Sequence, residues 1–218
     1  MPIEYFGHLP IRQSGPFRLI SMGRLIHWKG FHLSLRAFAQ FQADCPDSEY
    51  WLVSDGPEAG RLREIARELG IESKVVFFGH LPTLKDVHDK LAECDVLVHP
   101  ALHEAFGNAC LEGLAAGRPV VCLDLGGPAL QVTPETGIKV PATEPDQVIH
   151  DLASAFRRLA SDVGLRTRMS DAARQRVLRH FKWDDKGDWM NKVYHHAVNG
   201  GQPAENQSTI TSPAELAS

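Results

Sequence analysis

The chain has 218 residues, of which 43% are hydrophobic, and its 23 Lys and Arg against 27 Asp and Glu give a net charge of -4. A balance this acidic lacks the basic surplus that binding along a phosphate backbone requires, which argues against nucleic acid as a partner. No stretch approaches the ~20 apolar residues that span a bilayer, and the opening MPIEYFGHLP lacks the features of a secretion signal, so the sequence predicts a soluble, non-secreted protein.

Short apolar runs alternate with amphipathic stretches along most of the chain. The runs predict strands at 17–22, 49–53, 74–78, 95–99 and 119–124, with a sixth at 137–141. The stretches between them predict helices at 29–43, 59–69, 84–92 and 106–116, followed by helical segments at 146–180 and 184–198. Because the strands are continuous apolar runs, we expect an α/β fold: a Rossmann-like parallel sheet of about six strands with helices on both faces.

The chain divides into three segments by composition. Residues 17–198 carry the alternating pattern and predict one domain with its carboxyl-terminal helices. Residues 1–16 are interpreted as a linker or a truncated interdomain segment. Residues 199–218 contain no aromatic side chain and little that could be buried, so they predict a disordered tail.

The cysteines are widely spaced and form neither a CxxC pair nor a Cys/His cluster. We interpret them as small buried residues of a protein in a reducing compartment, since free cysteine behaves as a small hydrophobe, and we expect a cytoplasmic location. They are Cys45, Cys94, Cys110 and Cys122.

The loop after the first strand reads GRLIHWKG and places Arg24 and Lys29 beside the start of a helix. Ligands of open parallel sheets bind at the carboxyl ends of the strands, and two cations beside unpaired helix N–H groups suit a pyrophosphate. Taken alone, the two side chains are better interpreted as solvated loop charges.

The loop after the fourth strand carries two carboxylates, Glu104 before a helix and Glu112 within it. A rise of about 1.5 Å per residue separates them by ~10 Å along the helix, so we expect separate contacts to a ligand rather than an acid–base pair. Apolar residues surround Glu112, and ribose hydroxyls would satisfy a carboxylate buried there. The alternative is that Asn108 and Glu112 form the solvent-facing stripe of an amphipathic helix.

Three further features of the sequence carry weaker signals. His99 and His103 have the spacing of a helical zinc pair, but Pro100 places them off a helix and no third ligand is near, so we expect no metal site. Gly79 could let the third loop approach a flat base. The loop with Gly126 and Gly127 offers close backbone approach to a ligand, or simply a turn.

Together and in this order, these motifs resemble the carboxyl-terminal domain of the retaining family-4 glycosyltransferases, or glycosyl transferases group 1, which have the two-domain GT-B fold. The resemblance covers 17–198 and is most specific in E-A-F-G-N-A-C-L-E, where seven residues separate two glutamates. The motifs G-R-L…K-G, D-G-P, F-G-H-L and G-R-P-V-V support it.

The resemblance implies a metal-independent enzyme that transfers a sugar from a nucleoside-diphosphate sugar and needs no cofactor. Arg24 and Lys29 would hold the donor diphosphate in place of a metal, aided by the backbone amides of Phe106, Gly107 and Asn108. Glu112 would bind the ribose and Glu104, the catalytic residue, the transferred sugar. His80 and Leu81 would contact the base.

The same resemblance implies that an amino-terminal acceptor-binding domain is absent from this chain, which would leave the chain alone inactive or weakly active. It also leaves room for peripheral membrane contact by the intact enzyme. The alternatives are a non-catalytic nucleotide-sugar-binding module and a sugar-nucleotide epimerase. Two departures stand out. Ser54 replaces a frequent glycine, which we expect to be tolerated, and Pro128–Gln131 replace a frequent proline–glutamate pair, which removes an expected acidic contact.

Overall fold

A computed structural model describes residues 9–198. Residues 1–8 of the predicted linker and the whole predicted tail, 199–218, lie outside the described residues. The described part of the linker packs on the domain: the Arg12 guanidinium pairs with Asp95 at 2.8 Å, and the Pro10 carbonyl accepts a hydrogen bond from Arg118.

Six parallel strands form one sheet in the order β3-β2-β1-β4-β5-β6. They are β1 (Arg18–Met22), β2 (Glu49–Val53), β3 (Val75–Gly79), β4 (Val96–His99), β5 (Val120–Leu123) and β6 (Gly137–Val140). The order reverses between β1 and β4, so the loops that follow these two strands open beside each other. Such a reversal is the usual ligand-binding position of an open parallel sheet.

Eight α-helices connect and flank the strands in the described range. They are α1 (Phe31–Gln42), α2 (Ala59–Glu68), α3 (Leu84–Ala92), α4 (Asn108–Ala115), α5 (Gly126–Gln131), α6 (Pro145–Ser161), α7 (Val163–His180) and α8 (Trp183–Val198). The sequence did not predict α5. The predicted helical segment 146–180 consists of two helices, because Asp162 caps α7 by accepting a hydrogen bond from the Leu165 amide.

Two separate apolar clusters cover the two faces of the sheet. Successive strand residues point to opposite faces, so Leu19 belongs to the cluster with α1, α2 and α6, while Ile20 belongs to the cluster with α4 and α7. The prediction of a six-stranded Rossmann-like parallel sheet with helices on both faces is therefore confirmed. Within residues 9–198, no helix combines the length and apolar character needed to cross a membrane.

Candidate functional site

The loops after β1 and β4 pack directly against each other at the carboxyl end of the sheet. The Leu102 amide donates to the Trp28 carbonyl at 2.8 Å, which ties the two loops together. Gly30 adopts a φ of 68°, and a Cβ there would lie 1.9 Å from the Pro100 carbonyl oxygen. Only glycine permits this approach, and it brings Lys29 and Glu104 to one place.

The two loops enclose a cleft of about 290 Å³. Its lining combines an ammonium, two carboxylates and an amide with the end of β1. The lining residues are Met22, Gly23, Lys29, Glu104, Asn108, Ala109 and Glu112. Four residues predicted to bind a donor thus share one cleft.

Lys29 and Glu104 form an ion pair through the lysine ammonium and Glu104 Oε2, and each side chain is only 18% exposed. Burial pushes the pKa of Glu104 upward, but the hydrogen bond and charge of Lys29 outweigh it, so the pKa lies below its ordinary value. The cleft therefore holds an ionised carboxylate bound to the cation predicted to hold phosphate.

His99 lies beneath this pair at the end of β4, where it is 3% exposed. Its Nε2 is 3.4 Å from Glu104 Oε2 but has no hydrogen-bond partner among the described residues. Burial and the charge of Lys29 lower the pKa of His99 to about 4, so the ring is neutral at pH 7. The sequence pattern suggested His99 only as a zinc ligand, although its position at the end of a buried strand, just before the Glu104 loop, is a signal that it lies near the site.

Glu112 is half-buried on α4, and its carboxylate makes no hydrogen bond or ion pair with residues 9–198. Burial raises the pKa of its carboxyl group. Asn108, one turn earlier, is exposed, and both residues line the cleft. The two residues thus share a helix face, as the stripe interpretation expected, but that face borders the cleft, and Glu112 lacks the full solvation of a surface residue.

The amino terminus of α4 borders the cleft, which Asn108 and Ala109 help to line. Gly107 caps the helix with a φ of 82°, so α4 begins at Asn108, two residues later than predicted. The amides of Asn108 and Ala109 lack acceptors within the helix, as first-turn amides do. Of the three amides predicted to bind the diphosphate, only that of Asn108 belongs to a lining residue; Phe106 and Gly107 lie just outside.

The paired glycines at the start of α5 support the Glu104 loop. The Gly127 amide donates to the Glu104 carbonyl at 3.1 Å. A Cβ on Gly126 would lie 2.1 Å from that carbonyl oxygen, and one on Gly127 would lie 2.4 Å from the Phe106 oxygen. Gln131 adds a side-chain hydrogen bond to the Phe106 carbonyl. The glycines are thus needed for close approach to protein backbone.

The other predicted site residues lie at the margins of the cleft. Arg24 follows the lining residue Gly23; it is exposed, and its guanidinium makes no hydrogen bond or ion pair with the described part of the chain. His80 and Leu81 follow β3, which β2 separates from β1. Two strand spacings place them ~10 Å from the β1 loop across the same edge of the sheet.

A larger cavity of about 410 Å³ lies between α5, the end of α7 and α8. Its walls are mostly apolar and include Phe106, Phe181, Trp183 and Trp189. The smaller cleft is the better candidate site, because it brings together Lys29, Glu104 and Glu112, which the sequence predicts to contact a donor.

No group of three His, Cys, Asp or Glu side chains in residues 9–198 is placed to hold a metal ion. His103 is exposed on its loop, whereas His99 is buried beneath Glu104.

Comparison with known proteins gives a consistent set of similarities. The model of the family described as glycosyl transferases group 1 matches residues 10–176. The lipopolysaccharide core biosynthesis glycosyltransferase LpsD of Rhizobium meliloti is 32% identical over 165 residues, which cover 76% of this chain and 45% of LpsD.

Two solved structures show the same fold. The carboxyl-terminal domain of the group 1 glycosyl transferase LpcC from Francisella tularensis superposes with a TM-score of 0.73 at 20% identity, covering 84% of this chain and 99% of that one. The HepE protein of Anabaena, solved with UDP and glucose, superposes with a TM-score of 0.73 at 24% identity, covering 83% of this chain and 48% of HepE. The chain spans less than half the length of the curated relatives it matches first.

Proposed function

The chain belongs to the glycosyl transferases group 1 family and corresponds to the carboxyl-terminal domain of that fold, and we propose that it binds the nucleoside-diphosphate sugar donor of a retaining glycosyltransferase. The observation that carries the proposal is the cleft in which Lys29, Glu104, Glu112 and the start of α4 converge. A cation and free amides suit the diphosphate, and two carboxylates suit sugar hydroxyls.

The diphosphate binds at Lys29 and the first turn of α4, with Arg24 folding in from the edge of the cleft. A helix amino terminus carries a partial positive charge, and its free N–H groups accept an anion directly. In the reaction, the bond between the sugar's anomeric carbon and the phosphate oxygen breaks, and negative charge develops on the departing diphosphate. Fixed positive groups aimed there stabilise the transition state, so the proposal requires no metal.

The two carboxylates bind different parts of the donor. Glu104 accepts hydrogen bonds from hydroxyls of the transferred sugar, and Glu112 accepts them from the ribose. The absence of a protein partner for Glu112 in residues 9–198 supports this assignment, because a half-buried carboxylate gains most from a ligand that supplies hydrogen-bond donors. The base then extends along the sheet edge toward His80 and Leu81, which meet it largely through the backbone.

Transfer also needs an acceptor, and we assign its binding to an amino-terminal domain outside this chain. The partial coverage of the relatives supports that assignment. Four cysteines without a disulfide fit a reducing compartment, so the proposal places the reaction in the cytoplasm, with peripheral membrane contact only through the intact enzyme.

Calorimetric titration of the chain with UDP, GDP and ADP tests the proposal. We expect one of the three to bind equally well in the presence and absence of EDTA. Failure of all three to bind at millimolar concentration would contradict donor binding. Binding that appears only with added magnesium or manganese would contradict the metal-independent part.

A further inference from the structure

We propose that His99 is a positioning residue. Its Nε2–H donates a hydrogen bond to the Glu104 carboxylate when the donor's diphosphate attracts Lys29 away from that carboxylate. This inference rests on the proposed function. It concerns a buried side chain that neither the motifs nor the donor contacts include.

Two side chains meet at the Glu104 carboxylate. Lys29 binds Glu104 Oε2, and His99 Nε2 faces the same oxygen from below at 3.4 Å. Nε2 is buried and has no partner in the described residues. At 3.4 Å the two atoms are close without the alignment of a good hydrogen bond, and a small rotation of the carboxylate toward His99 would complete one.

The surroundings favour a neutral ring that carries its proton on Nε2. Lys29 faces His99 from the first loop and Glu104 faces it from the fourth, while Cys122 is its register partner on β5. Burial keeps the imidazole neutral at pH 7, and a neutral ring has a single N–H. Placing that N–H toward the carboxylate avoids setting a nitrogen lone pair against an anion.

Donor binding would remove the cation that pairs with Glu104. A diphosphate attracts the Lys29 ammonium, because it offers more negative charge than a single carboxylate. Glu104 is mostly buried, so losing its cation would leave a poorly solvated carboxylate. His99 then supplies the replacement hydrogen bond to one oxygen and leaves the other oxygen for a sugar hydroxyl.

A double-mutant cycle with donor binding as the readout tests whether His99 acts through Glu104. Calorimetry uses the sugar nucleotide that matches the diphosphate bound by the wild-type chain: UDP-glucose, GDP-mannose or ADP-glucose. We expect His99→Leu to weaken donor-sugar binding by about tenfold, and by less than about twofold in a Glu104→Gln background, where no charge is left unpartnered. His99→Gln, whose amide can donate near the position of Nε2, should keep most of the affinity. His103→Leu, on the same loop but exposed, should leave binding unchanged.

Nitrogen-15 spectra of the histidine rings provide a second readout. The signal missing in His99→Gln identifies His99, and a hydrogen-bonded Nε2–H proton should appear when the diphosphate is added. Equal losses in both Glu104 backgrounds, no rescue by His99→Gln, or no such proton would each overturn the inference. If the wild-type chain binds no nucleoside diphosphate, both the proposed function and the proposed role of His99 are wrong. Normal wild-type binding with an unaffected His99→Leu overturns only the role of His99.

Discussion

Lys29 and Glu104 pair their side chains inside the cleft although they lie 75 positions apart in the sequence. Each is mostly withdrawn from water, so each limits the cost of burying the other. In the structure the cation assigned to phosphate and the carboxylate assigned to sugar therefore satisfy each other. A bound donor must break this ion pair or contact both of its members. Variants of either residue therefore test the assigned donor contacts.

Replacing Lys29 with alanine should weaken nucleoside diphosphate binding by ~10–100-fold, because a hydrogen bond to a charged group contributes about 1.5–3 kcal/mol. Calorimetry measures the change. Lys74→Ala is the matched control, since it removes the same charge just before β3, at the opposite edge of the sheet. Equal binding by the Lys29 and Lys74 variants would remove Lys29 from the diphosphate site.

Glu104→Gln should lower the free energy of unfolding at pH 7 by about 1–2 kcal/mol, through loss of a charged hydrogen bond. The folded-state pKa of Glu104 lies below its ordinary value of 4.5, so the carboxylate stabilises the fold above that pH. This contribution is lost as the pH falls through the lowered pKa. Denaturant unfolding at pH 7 and near pH 3 should show the wild type approaching the variant, whereas exposed Glu72→Gln should give a small difference. A pH-independent gap would refute the assignment.

Glu112→Gln should separate stability from binding. Burial raises the pKa of Glu112, so its ionised form destabilises the fold as the pH rises above the ordinary carboxyl range. The variant should gain about 0.5–2 kcal/mol of stability at pH 7 and lose the gain toward pH 4. Diphosphate affinity should fall about tenfold, which is about 1.4 kcal/mol. Exposed Glu64→Gln should change neither quantity, and tighter binding by Glu112→Gln would argue against a ribose contact.

Gly127→Ala should disturb the Glu104 loop from the α5 side. The added Cβ would lie 2.4 Å from the Phe106 oxygen and 2.6 Å from the Ala105 oxygen, so backbone must move. We expect a loss of about 1–3 kcal/mol in unfolding free energy together with weaker diphosphate binding. Gly60→Ala on α2 meets nothing within 4 Å and should instead stabilise by about 0.4–1 kcal/mol. Thermal unfolding compares the two, and a neutral Gly127→Ala would contradict the close packing.

Ser54→Gly should stabilise the chain. Ser54 follows β2 with a φ of 111°, a conformation that glycine adopts without strain and serine does not. Relief of this strain should raise the free energy of unfolding by about 1 kcal/mol. Serine therefore occupies this position at an energetic cost. Ser73→Gly, at an exposed position without a positive φ, should be slightly destabilising; equal effects in both variants would show that Ser54 is unstrained.

The sequence predicted the strands closely, because a buried parallel strand is a short continuous apolar run that neighbouring residues alone reveal. β2 has the predicted bounds, and β1 and β3 differ from them by one residue. Helix starts were less accurate at α1 and α4, where Gly30 and Gly107 take positive φ values that fix the first helical residue. The short α5 was not predicted, because six residues containing two glycines and a proline carry no helical periodicity.

The sequence by itself determined the fold class, the family and the loops that carry Lys29, Glu104 and Glu112, because each depends on residues near one another in the chain. Only the tertiary structure decided which of these side chains meet. The strand order sets the β1 loop against the β4 loop and leaves the β3 loop two strands away. The tertiary structure also buries His99 next to Glu104 and packs Gly126 and Gly127 against the Glu104 loop. These contacts join segments that are distant in the sequence, so no local sequence pattern predicts them.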